Sequence, residues 1–140
     1  MTDLFPSNTL QVHAQAKQVV QLNTLADISQ LDLIQPLLFL GQGANVLFVH
    51  DFPGMVAKVN LKGEKVIAEN PDTVTLEIAA GEDWHEFVMW TVHQGWSGME
   101  NMALIPGTVG AAAVGNIAAY GQNQEDIFVK LQATSLKSHK

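Results

Sequence analysis

Two stretches of this chain are made of residues that let a ligand reach the backbone. The first is Leu37 to Val49, LLFLGQGANVLFV, in which Gly41-Gln42-Gly43-Ala44-Asn45 separate two apolar runs of strand composition. A loop with so little side-chain bulk allows an anion to come up against N–H donors. A hairpin turn that uses glycine only for positive φ explains the same residues equally well. The second stretch, residues 99–121, reads MENMALIPGTVGAAAVGNIAAYG. Here Gly107, Gly110, Gly115 and Gly121 alternate with Ala111 to Ala113, Ala118 and Ala119, and Thr108, Asn116 and Tyr120 are the few polar contacts. Close packing of elements accounts for small residues too, but two such loops in one small acidic chain favour binding.

No other residue pattern carries chemistry as well. His85 and His93 are eight apart on one helical segment, not at the four-residue spacing of a metal pair. His50 beside Asp51, and His13 and His139 near the ends, are isolated. The expected metal count is none. The first loop is not a dinucleotide fingerprint, because position 46 is valine and an apolar strand follows where a helix is required. The lysine of a phosphate-binding P-loop is absent. Any phosphate is therefore expected on backbone N–H groups, each charge-assisted bond contributing about 1.5–3 kcal/mol.

The bulk properties narrow the classes. With 140 residues, 47% apolar and 15% charged, the chain can bury a core. It has no cysteine, so no disulfide framework or thiolate metal site. A formal charge of −7, from seven lysines and no arginine, argues against nucleic acid as a partner. No apolar run approaches a membrane span and the N-terminus lacks a signal-peptide pattern, so a soluble, cytoplasmic protein is expected.

The elements that must position the two loops can be read in order. Residues 1–16 are polar with scattered apolar positions. Lys17–Leu22 reads as a strand. Asn23-Thr24 supplies a cap for a short helix with Asp27 in its first turn and Leu25, Ile28 and Leu31 on its apolar face, which ends before Pro36. Strands are expected at Leu37–Leu40, at Val46–Val49 and, after a turn at His50–Gly54, at Met55–Val59. Lys65–Ala68 and Val74–Ala79 follow, with turn signals that point to antiparallel pairing. Gly81–Gly95 is the strongest helix, capped by Asp83 with Glu86 in its first turn. It presents Trp84, Phe87, Val88, Thr91 and Val92 on one face, with Met89 and Trp90 turned to a second packing surface.

At these loops the sequence resembles the UDP-N-acetylenolpyruvoylglucosamine reductase (MurB) family. The resemblance is carried by Gly41-Gln42-Gly43-Ala44-Asn45-Val46-Leu47 and by Leu104-Ile105-Pro106-Gly107-Thr108-Val109-Gly110-Ala111. It continues through Asn116-Ile117 and Ala119-Tyr120-Gly121. Between them Ala80 to His85 and Gly98-x-Glu100-Asn101 also match, and Asn8-Thr9-Leu10 is similar to the family's N-terminal Asn-Thr-aromatic signature. The departures are Ala113, Gly115 and Ala118, where the family commonly has proline, glutamine and glycine.

The resemblance implies an α+β, FAD-binding fold of the vanillyl-alcohol-oxidase/PCMH type with two α/β lobes, the second truncated. It divides the chain into 1–63, the first lobe, and 64–140, the start of the second, ending in a strand. It implies FAD as cofactor, held along Gly41–Val46 and residues 105–117 with Tyr120 beside the flavin or substrate. It also implies NADPH as reductant of the full enzyme and a UDP-sugar substrate, reduced to UDP-N-acetylmuramate in peptidoglycan synthesis. The family's catalytic arginine, proton-donating serine and glutamate would lie beyond residue 140, with the substrate-binding domain, and neither Ser135 nor Ser138 stands in a matching context. The chain alone is then expected to be catalytically incomplete, with self-association through the shortened lobe. A non-catalytic or degenerate flavin-binding relative, or another FAD oxidoreductase of the same fold, remains the alternative.

Overall fold

The computed structural model describes residues 1–136; Ser138 and His139 lie outside the described residues. The chain divides into two compact units, Met1–Asn60 with the residues from Val129 onward, and Leu61–Phe128.

The first unit is built on a sheet whose strands β1 (Thr2–Asp3), β2 (Gln15–Leu22), β4 (Phe52–Val59) and β3 (Leu37–Leu40) lie side by side in that order. β4 is parallel to both β2 and β3. This corrects the hairpin reading of the glycine loop: its flanking strand β3 runs the same way as the next strand, so the loop begins a crossover. The apolar run Val46–Val49 is not a strand. Only Phe48 of its larger residues is buried, in a core with Leu4, Ala14, Ala16, Leu40 and Val56, while Leu47 and Val49 face outward. Burying one aromatic ring satisfies this segment without a strand partner.

The turn expected at His50–Gly54 ends earlier. β4 starts at Phe52 and takes in Pro53 and Gly54, and the Met55 N–H donates to Pro36 O at 2.9 Å. Gly54 to Ala57 are all buried, the pattern of a strand covered on both faces. The first sixteen residues are more ordered than their polarity implies. Leu4 is fully buried, a 3₁₀ turn spans Phe5–Ser7, and the Asn8 side chain holds the next turn. Helix α1 is shorter than its apolar spacing indicates, Leu25–Ile28, and Leu25 is exposed.

Asp27 explains why α1 forms at all. Its Oδ2 accepts the N–H groups of Asn23 at 2.9 Å and Thr24 at 2.8 Å, two donors that a helix start otherwise leaves to water. The Thr24 N–H, then that of Asn23, holds this carboxyl below its ordinary value of 3.8. A depressed carboxyl contributes stability that is present above the unfolded value and lost as pH falls through the folded one. The Asn23 and Thr24 amide resonances are therefore expected to shift together below pH 3.8. In Asp27→Asn that transition should vanish, and a midpoint at or above the ordinary value would contradict the capping account.

In the second unit, β5 (Glu64–Glu69) and β6 (Val74–Ile78) pair antiparallel, as their turn signals require. Helix α2 runs Trp84–His93, with Asp83 Oδ1 accepting from the Glu86 N–H at 2.9 Å. Trp84, Phe87, Val88 and Thr91 are buried, but Val92 is exposed, one position too far round the helix. Trp90 packs against the same core and meets Trp96 edge to face, with ring centroids 5.2 Å apart. Helix α3 (Val109–Gly115) was not evident from its glycines. Alanine at 113, the strongest helix former, lets it continue where the resemblance expects proline. A small hairpin follows, β7 (Ala118–Ala119) and β8 (Gln122–Asn123). Of the strand expected at the end of the second lobe, residues 127–135 have no regular structure, and no strand among the described residues pairs with them; residues 137–140 lie outside the described residues.

Candidate functional site

In the first unit, the Gly41–Asn45 loop is closed from beneath by the N-terminal segment. Gly43 has φ +71° and is buried against Ser7 and Asn8. A Cβ there would overlap the Ser7 carbonyl oxygen and lie 2.9 Å from the Asn8 Cα, so no side chain fits. The Thr9 N–H donates to Gly43 O at 3.2 Å, and its hydroxyl lies 3.3 Å from Ala44 O and 3.5 Å from Gly43 O. The Gly43 and Ala44 carbonyls thus face Thr9. Among the described residues, nothing accepts from the N–H groups of Gly43, Ala44 or Asn45. Asn45 is exposed, and Gly41, Gln42, Ala44 and Val46 are half-buried. This geometry is a short row of backbone donors over a surface stripped of side chains.

The second stretch behaves differently. Thr108 is buried and caps α3, its Oγ1 accepting from the Ala111 N–H at 3.4 Å. The Val109 N–H donates to Glu82 O at 3.0 Å, that of Gly110 to Ala80 O at 2.9 Å and that of Ala112 to Thr108 O at 2.9 Å. The first-turn donors of α3 are therefore already spent inside the unit. Gly110 is glycine for packing: a Cβ would stand 2.7 Å from that of Ala80. Small residues here serve close approach of α3 to residues 80–82, while Pro106, Ala111 and Asn116 remain exposed and Gly107 and Ile117 half-buried.

Tyr120 is 90% exposed, at φ +48°, and with Gly121 at +82° makes the two-residue turn between β7 and β8. Both central residues of such a turn need positive φ, a strained state for tyrosine. The turn is held by the Gly98-x-Glu100-Asn101 motif. The Asn101 N–H donates to Gln122 Oε1 at 2.9 Å and Asn101 Nδ2 to Tyr120 O at 3.3 Å. Glu100 Oε2 accepts from the Gly98 N–H at 2.8 Å and from Gln122 Nε2 at 3.4 Å. Its own backbone N–H, then that of Gly98, holds the Glu100 carboxyl below its ordinary value. Two motifs about twenty residues apart thus form one structure that sets the tyrosine outward.

Asn116, at φ +43°, ends α3, and its side chain bonds Glu125 at 3.2 and 3.4 Å. It also borders a cleft of about 150 Å³ with Ala113, Gln124, Glu125 and Phe128. Of the residues predicted to touch a ligand, Asn116 is the one in that cleft.

Sequence reasoning treated His85 as an ordinary histidine. Its Nδ1 accepts the Leu104 N–H at 3.2 Å, and Leu104 is exposed at φ +65°, directly before Ile105-Pro106-Gly107. Nineteen residues separate the pair, so no local pattern could have revealed it. His13 bonds Asp3 at 3.0 Å and stacks on Phe5. Among the described residues no three histidine or carboxylate side chains gather to hold a metal ion, and no helix is long and apolar enough to cross a membrane.

Comparison with known proteins bears on nearly the whole chain. The family model described as FAD binding domain matches residues 14–136. The UDP-N-acetylenolpyruvoylglucosamine reductase of Chromobacterium violaceum is 44% identical over 140 residues, covering 96% of this chain and 41% of that protein. That of Bdellovibrio bacteriovorus is 43% identical over 142 residues, covering 97% and 42%. The chain thus spans about two fifths of the length of these curated relatives. The crystal structure of UDP-N-acetylenolpyruvylglucosamine reductase (MurB) from Thermus caldophilus superposes with a TM-score of 0.69 at 22% identity, over 87% of this chain and 43% of that one. At that identity the likeness speaks for the fold.

Proposed function

Because the chain belongs to the FAD binding domain family, we propose that it is the FAD-holding part of a UDP-N-acetylenolpyruvoylglucosamine reductase. The observation that carries the reading furthest is the Gly41–Asn45 loop, in which the Gly43 and Ala44 carbonyls turn to Thr9 and, among the described residues, nothing accepts the N–H groups of Gly43, Ala44 and Asn45. FAD carries a diphosphate, and this chain has no arginine to fork onto one. Backbone donors over a side-chain-free surface fit that anion.

Bound FAD supplies the hydride chemistry, with NADPH as reductant and the enolpyruvyl double bond of a UDP-sugar as acceptor. The residues here hold and orient. In the first unit, Gly43, Ala44 and Asn45 receive the diphosphate, with Gly41, Gln42 and Val46 lining its approach. In the second, Pro106, Gly107, Thr108, Gly110, Ala111, Asn116 and Ile117 present a shaped surface to the cofactor. The spent amides of α3 favour shape complementarity over charge as the contribution of that stretch. Tyr120, held out by Asn101 and Gln122, lies at the flavin or substrate side. This reading belongs to a cytoplasmic step of peptidoglycan synthesis.

Titration of the chain with FAD is the test. Quenching of flavin fluorescence with saturation at one FAD per chain is the expected result. Flavin emission that stays at the free-cofactor level at tens of micromolar protein would sink the proposal.

A further inference from the structure

We propose that Thr9 is a positioning residue for the diphosphate-binding loop, turning the amides of Ala44 and Asn45 toward the ligand from beneath. The inference rests on the reading of that loop as the FAD site and assigns a role to a segment that precedes the matched span of the family model, residues 14–136.

The argument is one of peptide planes. A trans peptide unit is flat, with its C=O and N–H on opposite sides. The Gly43 carbonyl accepts the Thr9 N–H at 3.2 Å, and the Thr9 hydroxyl reaches Ala44 O at 3.3 Å. The peptide joining Gly43 to Ala44 and the one joining Ala44 to Asn45 therefore both turn their oxygens toward Thr9. Their hydrogens, on Ala44 and Asn45, must point away from it. These are two of the donors that nothing else in the described chain accepts.

Thr9 can do this because its own backbone cannot drift. Asn8, 5% exposed, donates through Nδ2 to Leu4 O at 2.8 Å and Val12 O at 3.1 Å and accepts the Val12 N–H at 3.0 Å. Leu4 is itself fully buried in the core. From the other side, Gly43 sits so close to Ser7 and Asn8 that the loop cannot sink further. Without the hydroxyl, the Ala44–Asn45 peptide is free to rotate and offer its oxygen to an anion. The loop then repels what it should bind.

Three proteins separate this role from a merely structural one: wild type, Thr9→Val and Thr9→Ser. Valine keeps the shape and the backbone bond but loses the hydroxyl; serine keeps the hydroxyl. In FAD titrations Thr9→Val should bind about three- to tenfold more weakly, the range of one hydrogen bond. Its ligand-free melting temperature should stay near wild type, and Thr9→Ser should bind like wild type. Equal FAD affinity in Thr9→Val and wild type overturns the inference, as does failure of serine to rescue.

A second measurement covers a valine variant that fails to fold or a wild type that binds no FAD. Inorganic pyrophosphate added to ¹⁵N-labelled wild type should shift the Ala44 and Asn45 amides, and Thr9→Ser, which keeps the hydroxyl, should show the same shifts. Unmoved Ala44 and Asn45 amides overturn the role of Thr9. Absence of FAD binding together with pyrophosphate shifts at those amides counts against the cofactor reading alone and supports the positioning role.

Discussion

Gly43→Ala is expected to destabilise the first unit by about 2–5 kcal/mol and to remove FAD binding. Two costs combine. Gly43 sits at φ +71°, where an L side chain crowds the following carbonyl and costs about 1–2 kcal/mol. The new Cβ would also enter the Ser7 carbonyl oxygen and crowd the Asn8 Cα, and overpacking of this kind costs typically about 1–3 kcal/mol. Relief requires the loop to rise off Ser7–Thr9, which breaks the Thr9 bonds that orient its amides. The binding loss should therefore outlast any rescue of stability by a lower temperature. Denaturant unfolding followed by FAD titration at a temperature where the variant is folded measures both. A Gly43→Ala protein with wild-type stability and affinity would show that the loop is not packed as described.

The second large effect is expected at Trp84. Its side chain is 1% exposed and packs with Phe87, Val88, Met102 and Ala112, while Nε1 donates to Met102 O at 2.9 Å. Trp84→Ala should cost about 3–5 kcal/mol, the usual price of an excavated aromatic core position. Trp84→Phe should be milder, since it keeps most of the packing but strands the Met102 carbonyl, worth about 1–3 kcal/mol when buried. The damage will not stop at the core. The Trp84 N–H donates to Gly107 O at 3.0 Å, so the start of α2 holds the Pro106–Thr108 loop in place. Thermal melts of the two variants should rank wild type above Trp84→Phe above Trp84→Ala. A phenylalanine variant as unstable as the alanine one would mean that the hydrogen bond, not the packing, dominates.

Much of the local structure was legible because its causes are local. The antiparallel pair β5–β6 follows from short alternating strands with turn residues between them. Helix α2 follows from the spacing of Trp84, Phe87 and Val88 and from Asp83 at its start, which is where the cap stands. The two glycine loops stood out by composition alone, and the family resemblance placed them with FAD. Where reading the chain failed, a distant partner decided the outcome. Val46–Val49 has strand composition, but β4 takes the place beside β3 and runs parallel to it. Residues 109–115 look like a loop by their glycines, yet they form a helix once Thr108 caps it and Ala80 and Glu82 accept its first donors.

By itself the sequence determined which residues could approach an anion, because only glycine and alanine leave the backbone bare and that property needs no neighbour. It also determined that none of these 140 residues could offer a ligand an arginine fork. Only the tertiary structure decided that the N–H groups of Gly43, Ala44 and Asn45 find no acceptor among the described residues while those that begin α3 do. Residues 41–45 and 105–117 are alike in composition, but Thr9 takes the carbonyls of one while residues 80, 82 and 108 take the amides of the other. A peptide group presents a donor on one side and an acceptor on the other, and which side faces outward is set by whatever the chain brings up behind it.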